Sequence, residues 1–321
     1  MKKDNKMSFE DKLDLIQVIE KAAKKDFGED SFYCAQGVNS ALISVCDGCG
    51  GLGARRYETF QGHTGAYIAA RTVTGAIHDW YHKYYTKSWK DSCQMANSMM
   101  DYINQAYKVC EPYTAERMRI RGSMVRKLPT TLALAYAEDA GDRVLVHSLW
   151  AGDSRVYLLD DRGLAQLTID DTDVADALEN IYYDGAMTNV LSSDEQYQIN
   201  SKTIYLNRPA LIFATTDGCF GYVPSPMEFE YIILNALVKS ETPERFKEKL
   251  YRQFSQYAGD DFAFGIMSFG FLDYQNTRRV LKPRLQYLEE NYMSHITCEH
   301  DEKSIRRLWR EYKGNYERYL I

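Results

Sequence analysis

The chain has 321 residues, of which 45% are hydrophobic, and its formal net charge is −6. The length fits one large α/β domain or about two smaller domains, and a chain of this size can bury roughly three quarters of its unfolded surface without disulfides or metals. The negative charge argues against a dedicated nucleic-acid-binding protein, because such proteins usually present a basic surface. No apolar run reaches the roughly 18 residues of a membrane-spanning helix, so we expect no membrane segment.

The cysteines and the first residues of the chain indicate in which cellular compartment the protein is found. The seven cysteines are irregularly spaced, and the opening stretch MKKDNKMSFEDKLDL lacks the apolar core of a signal peptide. We therefore expect free thiols and a cytoplasmic location. Cys46 and Cys49 form a CxxC pair, but the sequence has no second CxxC, so we favour neutral or buried thiols over a zinc or redox site.

The first segment of the chain is ambiguous. Ser8 and Asp11 fit a capping box for a helix over residues 9 to 25, whereas residues 15 to 20 fit a strand equally well. The runs SFYCAQ and ALISVCD, between residues 31 and 47, predict two strands. The second run ends in Asp-Gly-Cys-Gly-Gly, which is a strong turn signal.

The middle of the chain alternates between blocks of helix and blocks of strand. Apolar periodicity predicts helices over residues 57 to 86 and 90 to 118, and the runs TTLALAYAE, RVLVHSLWA, SRVYLLD and LAQLT predict an antiparallel meander. Residues 170 to 197 are polar and irregular, which predicts a surface flap. The next elements are the strands INSKTIYL and ALIFATTD, helices over residues 226 to 240 and 243 to 257, and the strand FAFGIMSFGF. Such blocks predict sheets flanked by helix pairs.

After Leu272 the composition becomes charged and rich in tyrosine. We divide the chain into a core of residues 1 to 272 and an accessory tail of residues 273 to 321. The tail either docks on the core or serves as a partner or self-association surface. Apolar residues at helical spacing predict two amphipathic helices in it, the first with Leu281, Leu285 and Leu288 and the second with Ile305, Leu308 and Tyr312.

Acidic residues recur where apolar runs end. An ionised carboxylate at the end of a buried strand is costly unless it is paired or bound to a cation, and hard cations such as Mg²⁺ and Mn²⁺ prefer oxygen ligands. Each Asp-Gly alone is most often a solvated turn, so only the ordered set is informative. The set comprises Glu29 and Asp30 before SFYCAQ, Asp47 after ALISVC, Asp153 after HSLWAG, Asp217 after ALIFATT, and Asp260 and Asp261 before the last strand.

Five segments resemble, in the same order, the metal-dependent phosphatases of the protein phosphatase 2C type. The resemblance covers about residues 15 to 270, and the combination is much more specific than any single piece. KKDFGEDS is similar to the family's Arg-x-x-Asn-Glu-Asp-Ser segment, VCDGCGG to its Asp-Gly-x-Gly-Gly turn, TTLALA with WAGDSRVYLL and LTIDD to its central strands, ATTDG to its Thr/Ser-Asp-Gly strand end, and GDDFAFGIM to its closing strand.

The resemblance implies an α+β fold, a four-layer α-β-β-α sandwich of two antiparallel sheets flanked by helix pairs. It favours the strand for residues 15 to 20. It also implies two Mg²⁺ or Mn²⁺ ions, with a weaker third. In the implied ligand set Asp47 bridges two ions, the Gly48 carbonyl binds one, Glu29 holds one ion, Asp217 and Asp260 hold the other, and Asp153 with Asp217 holds the third.

The implied reaction is hydrolysis of phosphoserine and phosphothreonine in proteins. Two ions about 3.5–4 Å apart lower the pKa of a bridging water, so that a metal-bound hydroxide attacks phosphorus in line. The ions also offset charge on the phosphoryl oxygens, and neither a covalent intermediate nor a cysteine nucleophile is required. We expect Asp47, Asp217 and Lys25 to be the catalytic residues, acting on a phosphoprotein.

The sequence departs from the family pattern at several positions. Lys25 stands where an arginine often contacts the substrate phosphate, and a solvated surface lysine is the alternative. Cys49 occupies a position that is histidine in some members, and we interpret the nearby His63 as a structural helix residue. Asp261 stands where asparagine is common, so Asp260 and Asp261 can exchange roles.

Two other functions fit the same residues. One is a non-catalytic regulatory module that binds partners through the tail, although the intact acidic set argues against it. The other is a phosphohydrolase for small phosphate esters or nucleotides, which would use the same chemistry. We expect the flap near residues 170 to 197 to decide between protein and small-molecule substrates.

Overall fold

The structure is a computed structural model, and it describes residues 13–22, 26–89, 91–114, 127–141, 143–183, 185–193, 196–206, 208–296 and 301–320, with side chains from residue 17 onward. The strands of these parts are β1 (Leu13–Lys21), β2 (Ser31–Gln36), β3 (Ser40–Cys46), β4 (Arg56–Tyr57), β5 (His63–Thr64), β6 (Leu132–Asp139), β7 (Val144–Ala151), β8 (Arg155–Asp160), β9 (Gly163–Gln166), β10 (Asn200–Leu206), β11 (Ala210–Thr215) and β12 (Phe262–Phe269). They form a first sheet with the order β10-β7-β6-β3-β2, a second sheet with the order β1-β12-β11-β8-β9, and a two-stranded ribbon of β4 and β5.

The two sheets pack face to face through alternate residues of their antiparallel strands. In β3, Ala41, Ile43 and Val45 lie between the sheets, whereas Leu42 and Cys46 lie on the outer face. Strand β11 does the same in the second sheet, with Ile212 and Ala214 inside and Leu211 and Phe213 outside. Because successive side chains point to opposite faces, a strand that is buried on both faces must be apolar throughout. This explains why ALISVC and ALIFAT read as continuous apolar runs.

Helices cover the outer face of each sheet. The helices of the described parts are α1 (Gly65–Tyr84), α2 (Ser92–Cys110), α3 (Ala177–Tyr183), α4 (Asp217–Phe220), α5 (Pro226–Val238), α6 (Pro243–Tyr257), α7 (Tyr274–Asn291) and α8 (Glu302–Tyr316). The pair α1 and α2 shares a buried cluster with the first sheet, and α5 and α6 share one with the second. The predicted four-layer α-β-β-α sandwich is therefore confirmed. None of these helices is long and apolar enough to cross a membrane.

Residues 13 to 21 form a strand, so the helical alternative for this segment is wrong. Strand β1 pairs antiparallel with β12 from Leu13 opposite Phe269 to Lys21 opposite Phe262. The edge of β12 offers backbone partners along its whole length. Tertiary pairing of this kind outweighs a weak local preference for helix.

Both helices of the first pair are shorter than their periodicity predicts. The helix expected from residue 57 begins at Gly65, because the Thr64 hydroxyl accepts a hydrogen bond from the Tyr67 amide at 3.1 Å and caps the helix. Residues 63 and 64 belong to β5 instead. The helix expected to end at residue 118 ends at Cys110, where a single 3-10 turn containing Pro112 follows.

The predicted meander is divided between the two sheets. Strands β6 and β7 lie in the first sheet, and β8 and β9 lie in the second. The connection between β7 and β8 passes through Gly152, whose φ of 90° lies in the region that favours glycine. This tight crossover places Asp153 at the end of the sandwich, between the two sheets.

The tail folds against the outer layer of the second sheet. Its two predicted helices are α7 and α8, and their apolar residues belong to the same buried cluster as α5: Leu281, Leu285, Leu288, Ile305, Leu308, Trp309, Tyr312 and Tyr316. Arg284 on α7 makes a bidentate pair with the fully buried Glu230 on α5, at 2.7 and 2.8 Å. The tail is thus docked, whereas the domain boundary at residue 272 and a partner surface on the tail stay predictions.

Replacing Arg284 by methionine should lower the free energy of unfolding by about 3 kcal/mol, because the buried Glu230 carboxylate loses its ion pair. Urea denaturation measures this change. Arg279→Met, at an exposed position of the same helix, should stay within about 0.5 kcal/mol of the unmodified protein. A loss below about 1 kcal/mol for Arg284→Met would show that the pair does not hold the tail.

Candidate active site

Carboxylates from separate loops meet at one end of the sandwich. The side chain of Asp47 is close enough to Asp30, Asp217 and Asp153 to be repelled by all three. Glu29 is repelled in the same way by Asp261 and Asp260. These residues stand before β2, after β3, between β7 and β8, after β11 and before β12. The structure therefore brings together the acidic residues that the sequence singles out.

Burial makes these carboxyl groups difficult to ionise. Burial raises the pKa of Asp47 well above its usual range, and repulsion from Asp30 and then Asp217 raises it further. Burial also raises the pKa of Asp30 to about 8 and, with repulsion from Asp217, the pKa of Asp153 well above its usual range. The pKa of Glu29 is raised chiefly by burial. A bound cation favours the charged forms and would offset these shifts.

The buried arginine beside this cluster is already paired. Arg155 is 1% exposed, and its guanidinium donates to Asp170 at 2.6 Å from Nη2 and 3.0 Å from Nε. The guanidinium carbon also lies 4.1 Å from the centre of the Phe220 ring. The charge of Arg155 lowers the pKa of Asp153, but less than burial and Asp217 raise it. Arg155 is therefore bound to Asp170 and does not offset the repulsion at Asp153.

Two threonines in front of β6 fix the backbone of Asp47. The Asp47 amide donates to Thr131 Oγ1 at 3.0 Å, and the Asp47 carbonyl accepts from Thr130 Oγ1 at 2.6 Å and from the Thr131 amide at 2.8 Å. The Thr131 hydroxyl also lies 2.6 Å from that of Ser154, the neighbour of Asp153. The turns that carry Asp47 and Asp153 thus share one anchor.

Two further threonines hold the acidic pair before β2. The Glu29 side chain accepts a short hydrogen bond from the hydroxyl of Thr64, which also caps α1. The Asp30 side chain accepts from Thr216 Oγ1 at 2.7 Å, directly beside Asp217. The Glu29 amide donates to Asp261 Oδ2 at 2.5 Å. These bonds tie the segment to the start of α1 and to the ends of β11 and β12.

Asp260 and Asp261 occupy different environments. Asp261 is 8% exposed, and its carboxylate receives the Glu29 amide. Asp260 is exposed, and its Oδ1 accepts from the Asp261 amide at 2.8 Å. Asp261 therefore supports the loop around Glu29, whereas Asp260 stands at the rim of the acidic cluster.

The glycines after two of the aspartates are required by close packing. A Cβ on Gly48 would lie 2.5 Å from the Ala66 carbonyl oxygen in the first turn of α1 and 3.0 Å from that of Glu29. A Cβ on Gly218 would collide with the Asp261 carbonyl oxygen. The Asp-Gly pairs therefore let two backbone segments approach each aspartate, which a larger residue would prevent.

A cleft of about 300 Å³ opens beside Asp153 and Asp217. Phe220 forms part of its wall, and so do Asn180 and Ile181 of α3. The segment expected to be an irregular flap therefore contains a helix, and a β-bridge joins Thr172 to Met187 within it. The flap contributes directly to the wall of the candidate site.

The donor set fits a hard divalent cation. Oδ1 of Asp153 is buried and has no hydrogen-bond partner among the described atoms, and the surrounding donors are carboxylate oxygens, which Mg²⁺ and Mn²⁺ prefer. In the described parts of the chain, no three His, Cys, Asp or Glu side chains form a group that could hold an ion as they stand. The composition and electrostatics of the cluster thus fit a metal, while its side chains are not gathered around a common point.

Three other predicted features have different outcomes. Lys25 lies outside the described residues. Cys49 and Cys46 are both free thiols, and burial raises the pKa of each, that of Cys46 to about 12. His63 lies on β5 rather than on a helix, and its ring stacks on that of Tyr67 with 3.8 Å between the centroids.

Sequence reasoning missed the residues that orient the carboxylates. Thr64, Thr131 and Thr216 each bond an acidic residue far away in the chain, and Asp30 lies inside the cluster rather than beside it. Thr216 directly precedes Asp217, and Thr131 directly precedes the start of β6, which are weak signals. Spacing alone could not have paired them, because each partner comes from another loop.

Comparison with known protein families assigns the α-β-β-α sandwich to one of them. The family model "Protein phosphatase 2C" matches residues 20–267, so this chain belongs to the protein phosphatase 2C family. The matched range ends before the two tail helices begin. Among curated proteins we found no match.

Several solved bacterial structures share this fold. The serine/threonine phosphatase Stp1 of Staphylococcus aureus is 20% identical, with 80% of this chain and 95% of that chain covered and a TM-score of 0.58. The serine/threonine phosphatase PstP/Ppp of Mycobacterium tuberculosis is 18% identical, with 80% and 98% covered and a TM-score of 0.55. The phosphatase of S. agalactiae is 13% identical, with 79% and 99% covered and a TM-score of 0.57. At these identities the likeness concerns the fold.

Thr131→Val should lower the free energy of unfolding by about 1–3 kcal/mol, because the nearly isosteric side chain leaves the Asp47 amide without its acceptor. Chemical denaturation of the metal-free protein measures the change. Thr86→Val, at an exposed threonine after α1, serves as the control and should change stability by less than about 0.5 kcal/mol. Equal stabilities of the two variants would show that Thr131 does not anchor Asp47.

Proposed function

We propose that this protein is a metal-dependent phosphatase that hydrolyses phosphoserine and phosphothreonine in proteins. Membership of the protein phosphatase 2C family supports protein phosphatase activity. The observation that carries the metal dependence is the buried acidic cluster, in which Asp47, Asp30 and Asp153 have raised pKa values while Arg155 is bound to Asp170. Buried charges of one sign are costly unless they are protonated or bound to a cation.

The cluster would hold Mg²⁺ or Mn²⁺ through oxygen ligands. Such ions, when bound, acidify water and offset the charge on a phosphoryl group. Asp261 stays an alternative to Asp260, although its contact with the Glu29 amide favours a supporting role. The proposed ligands are Asp47 for both ions, the Gly48 carbonyl for one of them, Glu29 for one ion, Asp217 and Asp260 for the other, and Asp153 with Asp217 for a weaker third.

The chain's own residues would bind and orient the ester. The cleft beside Asp153 and Asp217 would receive the phosphorylated side chain, with the apolar atoms of Phe220 and Ile181 excluding water from one wall. Lys25 is the proposed contact for the phosphate oxygens. The raised pKa of Cys49 keeps its thiol protonated, so the proposal includes no cysteine nucleophile and no covalent intermediate.

Phosphopeptide hydrolysis with and without metal tests this function. The protein with Mn²⁺ should release phosphate from a phosphoserine or phosphothreonine peptide, and removal of metal with EDTA should reduce turnover by about a hundredfold or more, reversibly on adding Mn²⁺. A phosphotyrosine peptide and a small aryl phosphate serve as comparison substrates. Turnover that survives in folded, metal-free protein, or no turnover of any substrate with Mn²⁺, would contradict the proposal.

Asp47→Asn should abolish metal binding measured by calorimetry and reduce turnover by at least about a hundredfold. The same variant should keep or increase the unfolding temperature of the metal-free protein, because a neutral amide removes repulsion with Asp30 and Asp217. Asp101→Asn, at an exposed position on α2, is the matched control and should behave like the unmodified protein. Activity retained by Asp47→Asn would refute its role in the site.

A further inference from the structure

The C-terminal helix α8 contacts the flap helix α3 through Asp176. Asp176 begins α3, because its Oδ1 accepts hydrogen bonds from the amides of Leu178 at 2.9 Å and Glu179 at 3.1 Å. The same carboxylate accepts from Trp309 Nε1 at 3.1 Å and from Lys313 Nζ at 2.7 Å, both on α8. One carboxylate therefore both caps α3 and binds it to the tail.

A second contact fixes the direction of α3. Arg306 on α8 forms an ion pair with Glu179, and its guanidinium lies 5.4 Å from the centre of the Tyr182 ring. Glu179 and Tyr182 are one turn of helix apart on α3. Together with the Asp176 contacts, this ion pair lets the tail bind α3 at its N-terminal cap and along one face.

A buried network connects the tail to the cleft wall. The hydroxyl of Tyr316, at the end of α8, lies 3.1 Å from that of Tyr157 and donates to Gln166 at 2.8 Å. Gln166 in turn donates to Asp170 at 2.9 Å. Asp170 accepts from the Asn180 side chain at 2.7 Å, and Asn180 lines the cleft. Two chains of contacts thus run from α8 to the residues of α3 that face the site.

We propose that α8 is a specificity element that holds α3 at the wall of the cleft for peptide substrates, with Arg306, Trp309 and Lys313 as positioning residues. The proposal rests on the proposed phosphatase function. A phosphorylated side chain that belongs to a peptide must bring flanking backbone past Asn180 and Ile181, whereas a small aryl phosphate reaches the acidic cluster without them. Loosening α3 should therefore weaken peptide binding more than small-ester hydrolysis.

Lys313→Glu tests the proposal, because it places a carboxylate against Asp176. Arg310→Glu is the matched control, since it makes the same charge change at an exposed position of the same helix. Hydrogen exchange should become about fivefold faster at the α3 amides in Lys313→Glu and should stay unchanged in the strands of both sheets. The Mn²⁺-supported KM for a phosphopeptide should rise about fivefold, with kcat and the kcat/KM for an aryl phosphate within about twofold of the control.

The two readouts separate this proposal from the phosphatase function. Unchanged exchange of α3 in Lys313→Glu overturns the positioning role, whatever the activity. An equal loss for peptide and aryl phosphate also overturns it, because that pattern indicates general damage to the site. If the unmodified protein hydrolyses no substrate while exchange of α3 increases in Lys313→Glu, the structural link stands, and both the phosphatase function and the role in peptide specificity are wrong. Trp309→Phe, which removes the indole donor and keeps an aromatic ring, should accelerate exchange in the same segment.

Discussion

Repulsion between buried carboxylates is the constraint on which the rest of the structure depends. Asp217 raises the pKa of Asp47, Asp30 and Asp153, and Asp30 and Asp153 raise the pKa of Asp47 further, at a place where burial already opposes ionisation. Packing alone would not select such an arrangement, because a buried group of like charges costs more than the apolar residues that could replace it. A bound divalent cation would remove the penalty, and this is the physical reason for our proposal that the cluster is a metal-dependent active site.

The sandwich holds the repelling acidic residues in place through hydrogen bonds from several different segments. The acidic residues of the cluster stand where strands end or begin. There, hydroxyl groups of Thr131, Thr64 and Thr216 bind the Asp47 backbone and the side chains of Glu29 and Asp30. Because these threonines come from different parts of the chain, Asp47, Glu29 and Asp30 are each held in place by a different part of the core. In the same way, contacts from the tail hold α3 at the wall of the cleft.

The sequence pattern predicted those features that depend on residues close together in the chain. Runs such as ALISVC and ALIFAT indicated strands buried on both faces, and the order of acidic strand ends indicated one shared site. The pattern could not predict that residues 13 to 21 pair with β12, since that choice depends on a partner some 250 residues away. Nor could it predict the Asp47–Thr131 bond, which spans 84 positions, or the Asp176–Trp309 contact, which spans 133. Contacts of this range arise only once the sheets and the tail have assembled.

The most direct measurement of the central claim is the unfolding temperature of the protein as a function of Mn²⁺ concentration. Ion binding to the native cluster should raise the temperature progressively, with stabilisation of about 2.7 kcal/mol when Mn²⁺ reaches a hundred times its dissociation constant. The effect should disappear when Asp47 is replaced by asparagine. An unfolding temperature that is independent of Mn²⁺, or that rises equally in both proteins, would contradict the account that these carboxylates form a metal site.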